Sequence, residues 1–226
     1  MLKHITIEGV RNLAHAQVAL PAGATVLFGA NGSGKTSFLE AIHLLAVGRS
    51  FRTHQSKPVI QHGMAHCRVV GEVQRGGRAT MMGLEKHRDG GVKARVGGEN
   101  VPSLSELALH LPLVLLDTEG LGIVTGPPEG RRRLLDGTLF HVEQGFLSQW
   151  KRHALAVRQR NSGLRRGILG SDRAWRQEIA ETGTLLTQQR RAVAEKLAHE
   201  LARLAPTLSY DLAGLEVVFR AGWDQK

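Results

Sequence analysis

Residues 29–36 read Gly29-Ala30-Asn31-Gly32-Ser33-Gly34-Lys35-Thr36, a complete phosphate-binding loop of the G-x-x-x-x-G-K-[ST] type. The run before it, Ala24-Thr25-Val26-Leu27-Phe28, is apolar and β-branched and predicts a buried strand over residues 25–28, while residues 37–46 favour helix. Strand, loop and helix in that order give the motif the context a working loop needs. Glycines let backbone N–H groups turn inward around phosphates, and the helix N-terminus adds partial positive charge. Lys35 is then expected to reach the β- and γ-phosphates, and Thr36 to offer its hydroxyl to Mg²⁺. The expected ligand is a nucleoside triphosphate.

Working outward, a 226-residue chain can build one or two domains with a proper core. Without a run of eighteen apolar residues, and with Met1-Leu2-Lys3-His4-Ile5 reading directly as a strand, neither a membrane span nor a secretory leader is expected. That points to the cytoplasm. A single cysteine, Cys67, rules out an internal disulfide framework. The formal charge is +10, and it is local: residues 131–203 hold fifteen Lys and Arg against seven Asp and Glu. A segment so unbalanced suggests a polyanionic partner.

Strand-like stretches at residues 3–10, 25–28, 67–73, 80–85 and 92–96 are separated by turn residues, and the later ones look like an antiparallel meander. Ser103-Leu104-Ser105-Glu106 has capping-box spacing for a short helix, and residues 113–116 read as a further buried strand. From about Thr138 the period changes. Leu147, Trp150, Ala154, Val157, Asn161, Leu164 and Ile168 follow at steps of three and four, a heptad seam. After a break at residues 167–172, with Ser171 or Asp172 as cap, a second stripe runs through Trp175, Ile179, Thr182, Leu186, Val193, Leu197 and Leu204 to Pro206. The pattern predicts an antiparallel helical hairpin. Alternation returns in residues 215–219. Three segments follow: an ATPase-like lobe at 1–116, a helical arm at 117–205, and the start of a strand returning to the first lobe at 206–226.

The loop alone does not name a reaction. Asp117, ending the run Leu113-Val114-Leu115-Leu116, resembles a magnesium-holding acid, and Asp117-Thr118-Glu119-Gly120 also fits the D-x-x-G of GTPases. No N-K-x-D guanine-reading motif accompanies it.

Several motifs together resemble the RecF family of bacterial replication and recombination-repair ATPases. They are Arg11-Asn12-Leu13, the loop with Leu39-Glu40-Ala41-Ile42, Gly48-Arg49-Ser50-Phe51-Arg52, Thr118-Glu119-Gly120, Gly126-Pro127-Pro128 with Arg131-Arg132-Arg133-Leu134-Leu135-Asp136, Arg158-Gln159-Arg160-Asn161, Asp211-Leu212-Ala213-Gly214 and Gly222-Trp223. The resemblance runs the length of the chain in order. It implies an α/β P-loop NTPase, an ABC-ATPase-like head lobe related to SMC and Rad50 heads with an inserted α-helical hairpin arm.

The resemblance also implies ATP and Mg²⁺ held by residues 29–36, Arg11 and Asn12 near the nucleotide, and ATP-dependent homodimerisation on DNA. In the family this serves DNA repair, the SOS response and the loading of RecA at gaps, with RecR and RecO as partners. Duplex DNA or a single-strand/duplex junction would meet part of Arg131, Arg132, Arg133, Arg158, Arg160, Arg165 and Arg166; Arg131 to Arg133 can equally bridge to Asp136 or Glu129. The family's signature motif and hydrolytic carboxylate fall beyond Lys226, so within the chain Glu119 alone is a catalytic candidate. Val10 stands where the family usually has Phe, and Thr118 where it has Pro. Two other readings stay open: a head that binds ATP without hydrolysing it and serves as a DNA-binding or adaptor module, and a transporter-type ATP-binding subunit.

Overall fold

The computed structural model describes residues 1–53, 55–116, 120, 122–167, 170 and 172–222, and the chain divides into two compact units, Met1–Leu115 and Leu116–Lys226. The first is built on strands β1 (Leu2–Val10), β2 (Leu13–Ala19), β3 (His66–Arg75), β4 (Arg78–His87), β5 (Val92–Val96) and β6 (Glu99–Asn100). They form one antiparallel sheet in the order β2-β1-β3-β4-β5-β6. Period-two alternation buries Ile5 and Ile7 from β1, Val69 and Val73 from β3, and Met82 and Leu84 from β4 on one face. Leu2 joins them across an odd step of three, because the β1–β3 register shifts between Leu2 and His4.

Helix α1 (Lys35–Val47) lies on that face with Phe38, Ala41, Leu44 and Leu45 buried, the spacing of one helical stripe. Burying each large side chain contributes roughly 1.5–3 kcal/mol. The approach is close: a Cβ on Gly71 of β3 would stand 2.6 Å from Leu45 Cδ2. Gly48 ends α1 in the left-handed region, and buried Lys86 of β4 donates to its carbonyl at 3.2 Å. Helix α2 (Ser105–His110) closes the core with buried Leu107.

Two strands expected within residues 1–116 are not formed. Residues 24–28 and 113–116 carry no strand, with Val26 79% and Phe28 92% exposed. Apolar, β-branched composition favours a strand only where a neighbour supplies the ladder, and among the described residues none pairs with either run. Strand β2 was not read from the sequence, because Leu-Ala-His-Ala-Gln-Val-Ala alternates too weakly to announce itself.

The second unit is helical: α3 (Gly122–Thr125), α4 (Pro128–Val142), α5 (Phe146–Arg165) and α6 (Asp172–Leu208). The expected hairpin is α5 against α6, and α4 packs on α6 as a third member. Its core is Leu139, Phe146 and Leu186, with Phe140 and Val193 against it. The α5 seam sits one residue from the expected one. Phe146, His153, Ala156 and Arg160 turn inward, whereas Trp150 and Leu164 are 42% exposed and Asn161 is exposed. Small and polar residues make this contact, so apolarity alone misplaces it. Residues 215–219 form no strand, and Ile168, Ser171 and Trp223 lie outside the described residues. No described helix is long and apolar enough to cross a membrane.

Candidate nucleotide-binding site

The loop at 29–36 keeps its geometry through backbone conformations open chiefly to glycine: Gly32 has φ +82° and Gly34 φ +99°. Space is a second constraint at Gly34, where a Cβ would lie 2.6 Å from Leu13 Cδ2. Gly34 is also the N-cap of α1, so the first N–H groups of that helix have no carbonyl ahead of them and open toward the loop. The Lys35 ammonium donates to the carbonyls of Gly29 and Ala30, each at 2.8 Å, which holds its charge over the centre of the loop. Thr36 follows at the helix start and lines the same cleft. These features fit a bound polyphosphate.

The cleft has a volume of 860 Å³ and is lined by Arg11, Asn12, Asn31, Gly32, Gly34, Lys35, Thr36, Ser37, Arg52, Lys57, Pro58, Ile60, His62 and Arg88. Its lining holds five Lys and Arg and no carboxylate, so its field favours an anion. Arg11 and Asn12 reach it as the two-residue connection between β1 and β2. Arg11 adopts φ +54°, and its backbone N–H donates to Val59 O at 2.8 Å. A non-glycine residue held there costs roughly 1–2 kcal/mol, which its other bonds offset. Asn12 ties the site together: its Nδ2 donates to Gly32 O at 2.7 Å, and its Oδ1 accepts from Ser37 Oγ at 2.7 Å.

Beneath the arginine sits Glu40, wholly buried on α1. Arg11 Nε donates to Glu40 Oε2 at 2.9 Å and Arg11 Nη2 to Oε1 at 2.7 Å, while Arg11 Nη1 donates to Pro58 O. Ser50 Oγ donates to Glu40 Oε1, and Arg52 Nη1 lies 3.8 Å from Oε2. Burial pushes the Glu40 carboxyl upward, but the bonds from Arg11 and Ser50 and the charges of Arg11 and Arg52 outweigh it and hold the group below its ordinary value. Glu40 entered the sequence reading only as part of a helix motif. Its partners lie ten to twenty-nine residues away, a separation no local pattern reports.

Asp117, Thr118 and Glu119 lie outside the described residues. Among the described residues no cluster of His, Cys, Asp and Glu is arranged to hold a metal ion.

A family model described as the RecF/RecN/SMC N terminal domain matches residues 1–200. The chain belongs to this family. Within it, the chain is 39% identical over 235 residues to the DNA replication and repair protein RecF of Azotobacter vinelandii and 41% identical over 228 residues to that of Pseudomonas putida, spanning 62% of each relative's length. A solved RecF–ATPrS structure superposes with a TM-score of 0.82 at 25% identity, covering 93% of this chain and 58% of that one. An SMC head bound to the winged-helix domain of ScpA shares the fold at a TM-score of 0.52 and 18% identity. The RecF-type head expected from the sequence is thus present, and the transporter-type alternative falls away with the family match.

In the helical unit the arginines singled out from the sequence divide into two groups. Arg131 Nη1 donates to the carbonyls of Ile123 and Gly126 at 2.9 and 3.0 Å, Arg133 pairs with Glu129, and Arg160 pairs with Asp172 at 2.8 Å. Asp136 is taken by Arg190, in two bonds of 2.7 and 2.9 Å, rather than by Arg131 to Arg133. Arg132, Arg158, Arg165 and Arg166 are exposed and make no ion pair among the described residues. Lys151, not singled out before, shares that state and precedes Arg158 and Arg165 at steps of seven on α5. Seven residues are nearly two full turns, so the three form one cationic stripe.

Proposed function

We propose that the chain is the nucleotide-binding and arm portion of a RecF-type, ATP-dependent DNA-binding protein of replication and recombinational repair. What carries the reading is the cleft, where a glycine-built loop, Lys35, Arg11 and Arg52 surround one space with no carboxylate in its lining. Residues 29–35 would hold the triphosphate, and Thr36 would contribute its hydroxyl to the Mg²⁺ that accompanies it. That ion would neutralise part of the triphosphate charge. Asn12 keeps the loop in register with α1, and Arg11 adds positive charge at its rim. ATP-dependent dimerisation on DNA and cooperation with RecR, RecO and RecA belong to the proposal for the whole protein, as does Glu119 near the γ-phosphate. The chain spans 62% of the length of the relative from Azotobacter vinelandii, and hydrolysis belongs to the proposal for the whole protein; the part of that proposal carried by these residues is nucleotide binding together with a DNA-binding arm.

Equilibrium binding of a fluorescent ATP analogue tests the site. The chain should bind it in the presence of Mg²⁺, and Lys35→Ala should weaken binding by about a hundredfold, the loss of one charged group making two or more bonds. Equal affinity of the two proteins would reject the loop as the binding site. In parallel, phosphate release should be absent from this chain and present in a version extended to the full family length.

A further inference from the structure

We propose that Glu40 is a positioning residue: a buried carboxylate that gathers Arg11, Ser50 and Arg52 from two separate segments and sets both arginines at the phosphate end of the cleft. The inference rests on the nucleotide-binding reading above and adds a residue to it.

Glu40 belongs to the same helix as Lys35, five residues on, and faces away from solvent. A buried carboxylate is costly unless charged donors surround it, and the donors come from outside the helix. Arg11 arrives from the β1–β2 connection and Ser50 and Arg52 from the segment after α1. Ser50 does a second job: its Oγ accepts from the backbone N–H groups of Arg52 at 2.9 Å and Thr53 at 3.1 Å, so the bond to Glu40 also fixes the turn that carries Arg52. Three of the five Arg11 guanidinium donors are taken by Glu40 and Pro58, which leaves two for a ligand. Arg52 touches Glu40 only at 3.8 Å and is half exposed, so it keeps the freedom to reach an anion. One carboxylate against two guanidinium groups leaves positive charge facing the cleft, and both arginines line it.

If Glu40 only supported the fold, its loss would lower stability and weaken ATP, ADP and AMP alike. A positioning role instead predicts selectivity for the longer phosphate chain. Glu40→Gln keeps shape and one acceptor but removes the charge. It should weaken ATPγS binding by about tenfold, the scale of one charge-assisted contact, while AMP changes by less than about twofold. In an Arg11→Ala/Arg52→Ala background the same substitution should have no further effect on ATPγS, because the residues it acts through are gone. Equal losses for all three nucleotides, or full additivity in that background, would overturn the assignment. Should Glu40→Gln fail to fold, Ser50→Ala decides: its effect on ATPγS should vanish in an Arg52→Ala background, and persistence there counts against the proposal. A wild-type chain that bound no ATPγS would reject the nucleotide-binding reading, whereas binding by wild type with Glu40→Gln indistinguishable from it would reject the inference alone.

Discussion

Two glycines of the loop separate what the backbone requires from what packing requires. Both Gly32 and Gly34 have positive φ, but a Cβ at Gly32 meets open space while one at Gly34 collides with Leu13. Gly32→Ala should therefore cost only the left-handed penalty of roughly 1–2 kcal/mol. Gly34→Ala should cost about 1–3 kcal/mol more, part of it recovered by Leu13→Ala. All three tryptophans, Trp150, Trp175 and Trp223, and the single tyrosine, Tyr210, lie beyond residue 115, so these changes are followed by hydrogen exchange at β1 and α1 rather than by intrinsic fluorescence. Equal costs at the two positions would mean the loop adjusts around Leu13. Glu40 gives the site a pH dependence of known sign. Its carboxyl is held below the 4.5 of an ordinary glutamate, so the folded state binds its proton less readily than the unfolded one. The stability it contributes is present above that value and is lost as pH falls through the lower, folded-state one. Hydrogen-exchange protection of the first unit should drop as pH falls below 4.5, and Glu40→Gln should flatten that part of the profile.

Elements were legible where one local rule decided them. The loop is written in eight consecutive residues, and β1, β3, β4 and β5 follow from alternation that the sheet satisfies on one face. Residues 24–28 and 113–116 have strand composition without a ladder neighbour, and composition cannot announce that. The α5–α6 seam failed differently, since its centre is His153 and Ala156 rather than large apolar residues. There the Thr182 hydroxyl donates to Glu178 O at 2.6 Å, so its oxygen is left to accept from His153 Nδ1 at 2.9 Å. Burial, and then the Arg190 charge, lowers the His153 pKa from 6.5. Folding favours the neutral ring, so its contribution is complete above about pH 6.5 and shrinks as pH falls below it. Thermal unfolding of the helical unit, read by Trp150 and Trp175, should weaken between pH 7.5 and 5.5, and His153→Asn should remove that slope. The α4–α6 contact includes the Asp136–Arg190 pair, whose side chains are each about one-fifth exposed. Asp136→Asn should cost about 1–3 kcal/mol, below a fully buried pair because solvent screens part of the charge. A double-mutant cycle with Arg190→Gln should return a coupling of similar size, and a coupling near zero would make the pair incidental.

Across the whole molecule, the charge that first suggested a polyanion is unevenly available, because its cations differ in whether a carboxylate already faces them. Of the fifteen Lys and Arg in residues 131–203, Arg133, Arg152, Arg160, Arg176, Arg190 and Arg203 already face carboxylates. Such pairs offer a phosphate little that water and the existing partner do not. Lys151, Arg158 and Arg165, exposed and aligned on α5, make no ion pair among the described residues. Contacts to the DNA backbone release counterions, each neutralised phosphate adding about −0.9 to the slope of log affinity against log salt on duplex DNA. Replacing the three by Gln should therefore reduce the magnitude of that slope by up to about 2.7 and weaken binding alike on unrelated duplex sequences. Replacing Arg133, Arg160 and Arg176 by Gln removes the same formal charge but frees Glu129 and Asp172, so at low salt affinity should fall through the new negative charge. The slope per arginine removed should change less than for the stripe, because those arginines meet carboxylates rather than phosphates. Fluorescence-anisotropy titrations of both triple variants from 50 to 200 mM salt distinguish the cases. Equal slope changes would show that net charge alone attracts the DNA, and a slope unchanged in the stripe variant would move the contact off α5 altogether.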